Sequence, residues 1–195
     1  MAILSVVIAI TVVSCQKETI IPPPETSLEI NVSDDYGNII SGATVELYAT
    51  ESDFYAATHL IESNYTDANG TVTFYNLSSA KYYWFASKGC KNNMNGGFAV
   101  TSAIPQNMIS KINTVISSTG SLKFVNASNY PYEVYVNGVV AISNLPGGYN
   151  QTLTFEPTGS YAFRVVQISG YSQYPADISF SGTLSCGSTL TTTFP

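Results

Sequence analysis

Apolar residues in this chain recur at every second position over short stretches, and each stretch is closed by a turn signal. Leu28, Ile30 and Val32 alternate with Glu29 and Asn31 before the turn residues Asp34-Asp35-Tyr36-Gly37-Asn38. Val45 and Leu47 likewise alternate with Thr44 and Glu46. Successive side chains of a strand point to opposite faces, so a period of two predicts half-buried β-strands. No stretch sustains a helical period, and residues 52–57 predict at most one turn of helix. The expectation is an all-β chain: two small antiparallel β-sandwich domains in tandem.

The first set of strands is expected at 28–32, 43–50, 71–76 and 82–87, with the turn Asp67-Ala68-Asn69-Gly70 before the third. Residues 90–97 (CKNNMNGG) read as a loop, and 108–117 as a closing strand carrying Ile109, Ile112 and Val115. The second set opens at Gly120-Ser121-Leu122-Lys123-Phe124. Residues 133–136 and 139–142 flank Asn137-Gly138, the pair that supplies the positive φ angles of a type I′ hairpin. Strands at 151–155, 161–168, 178–184 and 189–194 complete it, with Tyr161, Phe163 and Val165 on one face. The expected domains are 27–118 and 119–195.

Residues 2–13 (AILSVVIAITVV) form an apolar run too short to cross a bilayer of about 30 Å hydrocarbon thickness as a mature helix. It reads as the apolar region of an export signal spanning 1–14. Val12-Val13-Ser14-Cys15 resembles the bacterial lipobox, in which the cysteine receives diacylglycerol. That resemblance implies a lipoprotein attached to an envelope membrane through Cys15, with palmitate-type acyl chains. Residues 15–26 then form a lipidated tether, whose Pro22-Pro23-Pro24 favours extended polyproline geometry. Gln16-Lys17-Glu18 is similar to the surface-export signal of Bacteroidetes lipoproteins, and either face of the outer membrane remains open.

Asp35-Tyr36-Gly37-Asn38, Ser41-Gly42-Ala43-Thr44-Val45 and residues 66–74 (TDANGTVTF) resemble the carboxypeptidase-regulatory-like, or transthyretin-like, β-sandwich of Bacteroidetes envelope proteins. Residues 119–195 resemble an uncharacterised immunoglobulin-like module of similar lipoproteins, through Tyr132-Glu133-Val134-Tyr135-Val136-Asn137-Gly138 and 165–171 (VVQISGY). Neither resemblance implies catalysis. Adhesin modules of prealbumin type form a Lys-to-Asn isopeptide bond, but residues 28–32 contain no lysine. Transthyretin-like hydrolases rely on several histidines, and this chain has one.

Charged residues are 10% of the chain, the net charge is −6, and Arg164 is the only arginine. A phosphate backbone demands a basic footprint, so no nucleic-acid partner is expected. His59 is the only histidine, which excludes a multi-histidine metal centre within one chain. Asp67-Ala68-Asn69-Gly70 starts like a calcium loop, but Ser78 stands where an EF-hand places its bidentate Glu. No metal, cofactor or catalytic residue is expected. Glu29, Glu46, Glu133 and Glu156 read as members of solvated strand faces rather than a glycosidase pair. Cys90 and Cys186 fall in different expected domains; an oxidising envelope permits a disulfide that would staple the two, and two free thiols are the alternative.

Aromatic clusters supply the candidate contact residues: 82–85 (YYWF), the tyrosines 130, 132 and 135, and above all Tyr171 and Tyr174 in the loop 170–175. Exposed rings at a sandwich edge stack on sugars or anchor a protein. The expected role is a non-enzymatic envelope spacer or protein-interaction and adhesion module. A carbohydrate-binding accessory protein using Tyr171 and Tyr174 is the alternative, and a hydrolase the weakest reading.

Overall fold

A computed structural model describes residues 25–94, 99–170 and 176–195. Alternation of buried and exposed positions builds most of it. β1 (Ser27–Asp34) is flanked by β4 (Thr71–Phe74), antiparallel, and by β8 (Ile109–Asn126), parallel. The facing layer is β2 (Thr44–Tyr48) between β3 (Glu62–Tyr65) and β5 (Tyr83–Lys88). The two-residue strands β6 (Lys91–Asn92) and β7 (Ala99–Val100) pair with β5, and β6 also reaches β8. Leu28, Ile30, Val45, Leu47, Phe74, Trp84 and Ile116 fill the core between these layers.

A second sandwich repeats the plan with other strands. One layer is β8 between β11 (Asn150–Pro157), antiparallel, and β14 (Thr189–Phe194), parallel. The other runs in the order β10 (Val139–Leu145), β9 (Tyr132–Val136), β12 (Gly159–Gln167), β13 (Asp177–Leu184). Leu122 and Phe124 from β8 meet Val134, Phe163, Val165, Leu184 and Phe194 in a separate core.

The chain is therefore all-β and built of two sandwiches; the described residues add one short helix, α1 (Glu51–Ala56), capped by the Thr50 hydroxyl, which accepts from the backbone N–H of Asp53. Three features differ from the sequence expectation. The strands expected at 108–117 and 120–124 are one uninterrupted strand, which serves one core up to Ile116 and the other from Leu122. The pairings β1–β8 and β14–β8 are parallel, not antiparallel. Within the first half of β8 it is Thr114 and Ile116 that point inward, while Ile109 and Val115 face solvent.

The acidic turns serve the backbone. Asp34 accepts the backbone N–H groups of Tyr36 and Asn38, each at 3.0 Å. Asp67 accepts those of Asn69 and Thr71 at 2.8 and 2.9 Å. Asp and Asn favour such turns because a side-chain oxygen substitutes for a backbone acceptor.

Candidate functional site

Where β8 passes from one core to the other, its sequence is Ser117-Ser118-Thr119-Gly120, polar and small. Thr119 is buried there, and both cysteine-bearing segments dock on it. Its N–H and hydroxyl donate to the Cys90 carbonyl, its carbonyl accepts from Gly187 N–H at 2.8 Å, and its hydroxyl accepts from the buried Asn92 amide at 2.6 Å. Cys90 and Cys186 are joined by a disulfide with Cα atoms 5.5 Å apart, across a sequence separation of 96. Gly120 permits the approach: a Cβ there would sit 2.7 Å from the Ser188 carbonyl oxygen.

Beside this junction lies a cleft of about 500 Å³. Glu46 and Tyr48 from β2, Phe54 and Tyr55 from α1, and Phe85 from β5 line it on the first sandwich. Thr154 and Phe155 of β11 line it from the second. Phe54 stands edge-on to Tyr48, with centroids 5.8 Å apart at 88°, and 5.4 Å from Tyr55 at 73°. Phe155 meets Phe85 at 5.8 Å and 58°. The rim is open, since Tyr55 is 60% and Phe155 43% exposed.

Phe155 reaches the cleft because β11 bulges. Leu153 pairs with Leu122 and Glu156 with Gly120, so Thr154 and Phe155 together oppose Ser121 alone. An extra residue in one strand bends it and re-aims a side chain. Phe155 takes φ +61°, the left-handed region that a bulky residue enters at a cost of about 1–2 kcal/mol.

Electrostatically the cleft is anionic. Among the described lining residues Glu46 is the only one charged at neutral pH, and no described cation lies within ion-pair distance of it. Its carboxylate accepts the Tyr48 hydroxyl at 2.8 Å. Burial, reinforced by this hydrogen bond and by the Glu46 charge, pushes the Tyr48 hydroxyl up to about 12, so it remains a donor. The chain's one imidazole is elsewhere: His59 Nδ1 lies 2.7 Å from Asp53, and its ring is largely exposed.

The sequence candidates distribute unevenly. Cys15, Tyr171 and Tyr174 lie outside the described residues. Tyr82, Trp84 and Tyr132 are buried core residues, and none of them lines the cleft. Tyr135 donates to Glu133 and lies under the Arg164 guanidinium, 5.3 Å from its ring centroid. Glu29 pairs with Lys111 at 2.9 Å. Of the four glutamates only Glu46 lines the cleft. Phe54, Tyr55, Phe85 and Phe155 line one cleft, and the ring contact between Phe85 and Phe155 that closes it joins residues 70 apart, which no spacing along the chain announces.

No protein-family model matches the chain, and no curated protein matches it. Among solved structures it is similar to a streptococcal ancillary pilin, at 13% identity and a TM-score of 0.41 over 89% of this chain. This chain spans 63% of that pilin, less than two thirds of its length. It is also similar to the minor pilin of Streptococcus agalactiae, at 17% identity and TM-score 0.35 over 86% of this chain and 94% of that one. A third likeness is to the shaft pilin of Lactobacillus rhamnosus GG, at 10% identity and TM-score 0.34 over 87% and 96%. At such scores the fold class rests on the strands and sheets themselves.

Proposed function

We propose that this chain is a non-enzymatic, lipid-anchored spacer of a bacterial envelope, attached through Cys15 and holding a loop-bearing tip at a set distance from the membrane. One observation carries the reading. β8 runs without a break through both cores, and the Cys90–Cys186 disulfide closes the junction beside it. A flexible linker would leave two modules free to swing, whereas a shared strand fixes their mutual direction.

The dimensions of β8 support this reading. The 18 residues of β8 extend about 60 Å at roughly 3.3 Å per residue. Ser27, where the tether enters, pairs with Ile109 at one end of β8, and Phe194 pairs with Asn126 at the other. The loops at that far end are held by Asn126, which is 1% exposed. Its amide donates to the carbonyls of Tyr130 and Leu145 at 2.7 and 2.9 Å, and its oxygen accepts from Ser128. Ordered loops at the end of a rigid scaffold are where a contact surface belongs. The carboxypeptidase-regulatory-like resemblance of 27–118 and the immunoglobulin-like resemblance of 119–195 agree with such a structural role.

Two measurements test it. Alkynyl-palmitate labelling of expressing cells should tag the protein, and Cys15→Ala should remove the tag and release the chain from the membrane fraction. Spin labels at Tyr75 and Tyr149, both exposed and near opposite ends of β8, should give one narrow distance distribution centred at about 50 Å. A broad distribution, or an untagged protein in the cytosol, would overturn the proposal.

A further inference from the structure

The spacer role gives the cleft beside the junction no task, yet its construction is specific. Ring walls stand at steep angles to one another, the only charged group among the described lining residues is a carboxylate, and no described cation lies within ion-pair distance of it. The faces of aromatic rings carry negative potential, so rings and carboxylate together attract positive charge. The net charge of −6 adds a field of the same sign. A volume of about 500 Å³ falls in the range of small-ligand sites.

The polar inventory narrows the cation. A primary ammonium brings three N–H donors that each require an acceptor. Among the described lining residues the side-chain acceptors are the Glu46 carboxylate, one of whose positions Tyr48 already fills, and the hydroxyls of Tyr48, Tyr55 and Thr154, so most of the wall is carbon and offers an ammonium nothing to bond. A quaternary ammonium asks for no hydrogen bond and presents methyl groups to rings, which suits a lining dominated by Phe54, Phe85, Phe155 and Met94. We infer that the cleft is a binding site for a quaternary ammonium group, enclosed by Tyr48, Phe54, Tyr55, Phe85 and Phe155 and neutralised by Glu46. The β11 bulge then has a purpose: it sets the Phe155 ring as the outer wall, at the expense of a left-handed backbone.

The test titrates the oxidised full chain with choline, following the ring and amide resonances of Phe85 and Phe155 by NMR. The neutral isostere 3,3-dimethylbutan-1-ol serves as the control for simple apolar binding. Saturable shifts with choline, and binding of the neutral isostere about tenfold weaker, are the expected result. Glu46→Gln should weaken choline about fivefold or more while leaving the isostere unchanged. Phe155→Gly removes the ring and suits the positive φ, so it should keep the thermal midpoint yet lose choline. Equal binding of choline and its isostere, no saturation with choline, or undiminished binding by Phe155→Gly would each overturn the proposal. With choline binding in hand, phosphatidylcholine vesicles distinguish the sources. Co-sedimentation sensitive to Glu46→Gln supports a lipid headgroup, and its absence supports a free solute.

Discussion

Thr119 donates twice to one oxygen: its backbone N–H and its hydroxyl reach the carbonyl of Cys90 at 2.9 and 3.1 Å. From the other side Gly187, next to Cys186, donates to the Thr119 carbonyl at 2.8 Å. The cysteines are thus brought together by a residue between them in space, and the disulfide locks an approach that hydrogen bonds already make.

That order of cause gives the first prediction. The Cys90→Ser, Cys186→Ser double variant should fold to the same structure, with unchanged amide spectra away from the junction. It should lose about 2–5 kcal/mol of stability, because the unfolded chain regains the freedom of a long loop. Urea denaturation with and without reductant checks both halves of this.

Gly120→Ala should cost about 1–3 kcal/mol through overpacking. Its Cβ would meet the carbonyl oxygens of Ser188 and Ser185 at 2.7 and 2.9 Å, and backbone cannot step aside as a side-chain tip can. Thermal melting of the variant, with thiol titration to confirm that the disulfide forms, measures the effect.

Asn126→Asp should be more harmful than its isosteric shape suggests. It replaces an amide that donates to two carbonyls with oxygens that only accept. The loss expected at pH 7 is about 3 kcal/mol or more. The introduced carboxyl would titrate above its ordinary range in the folded protein. The deficit relative to wild type should therefore shrink as pH falls and grow as pH rises through that raised value, which paired urea titrations at two pH values will show.

Native carboxylates predict an acid limb of defined sign. The Thr71 N–H, aided by that of Asn69, holds Asp67 below the usual carboxylate range, and the Arg164 hydrogen bond does the same for Asp177. Their contribution is complete above about pH 4 and is lost as pH falls through the depressed values. Burial pushes Glu156 the other way, so its contribution declines as pH rises through its raised value. Carboxyl-detected NMR should place Asp67 and Asp177 below and Glu156 above their ordinary values, and Glu156→Gln should raise the urea midpoint at pH 7.

Much of this architecture was legible residue by residue. Asn137 and Gly138 take φ of +50° and +83°, and Val136 pairs with Val139, as an Asn-Gly hairpin requires. Tyr161, Phe163 and Val165 share the buried face of β12. β3 escaped notice because its four residues are all exposed, so burial imposes no alternation on them. The continuity of β8 escaped for a related reason. Its apolar stripe stops at Ser117 where one core ends and resumes at Leu122 where the next begins, although the backbone never turns. Period two reports which face is buried and says nothing of the neighbour, so the parallel pairings were invisible. The cleft was invisible because Phe155 owes its direction to a bulge whose residue is neither Gly nor Asn.

The parallel placement of β1 and β14 against β8 bears on what happens when such a molecule is pulled. Tension applied at Ser27 and at Phe194 acts along these strands, so the eight residue pairs of β1–β8 and the six of β14–β8 would be sheared together rather than unzipped one by one. The Cys90–Cys186 bond meanwhile excludes everything between the cysteines from the line of force. Under traction, only the flanking segments could pay out, and β8 would serve as the keel that both must tear from at once.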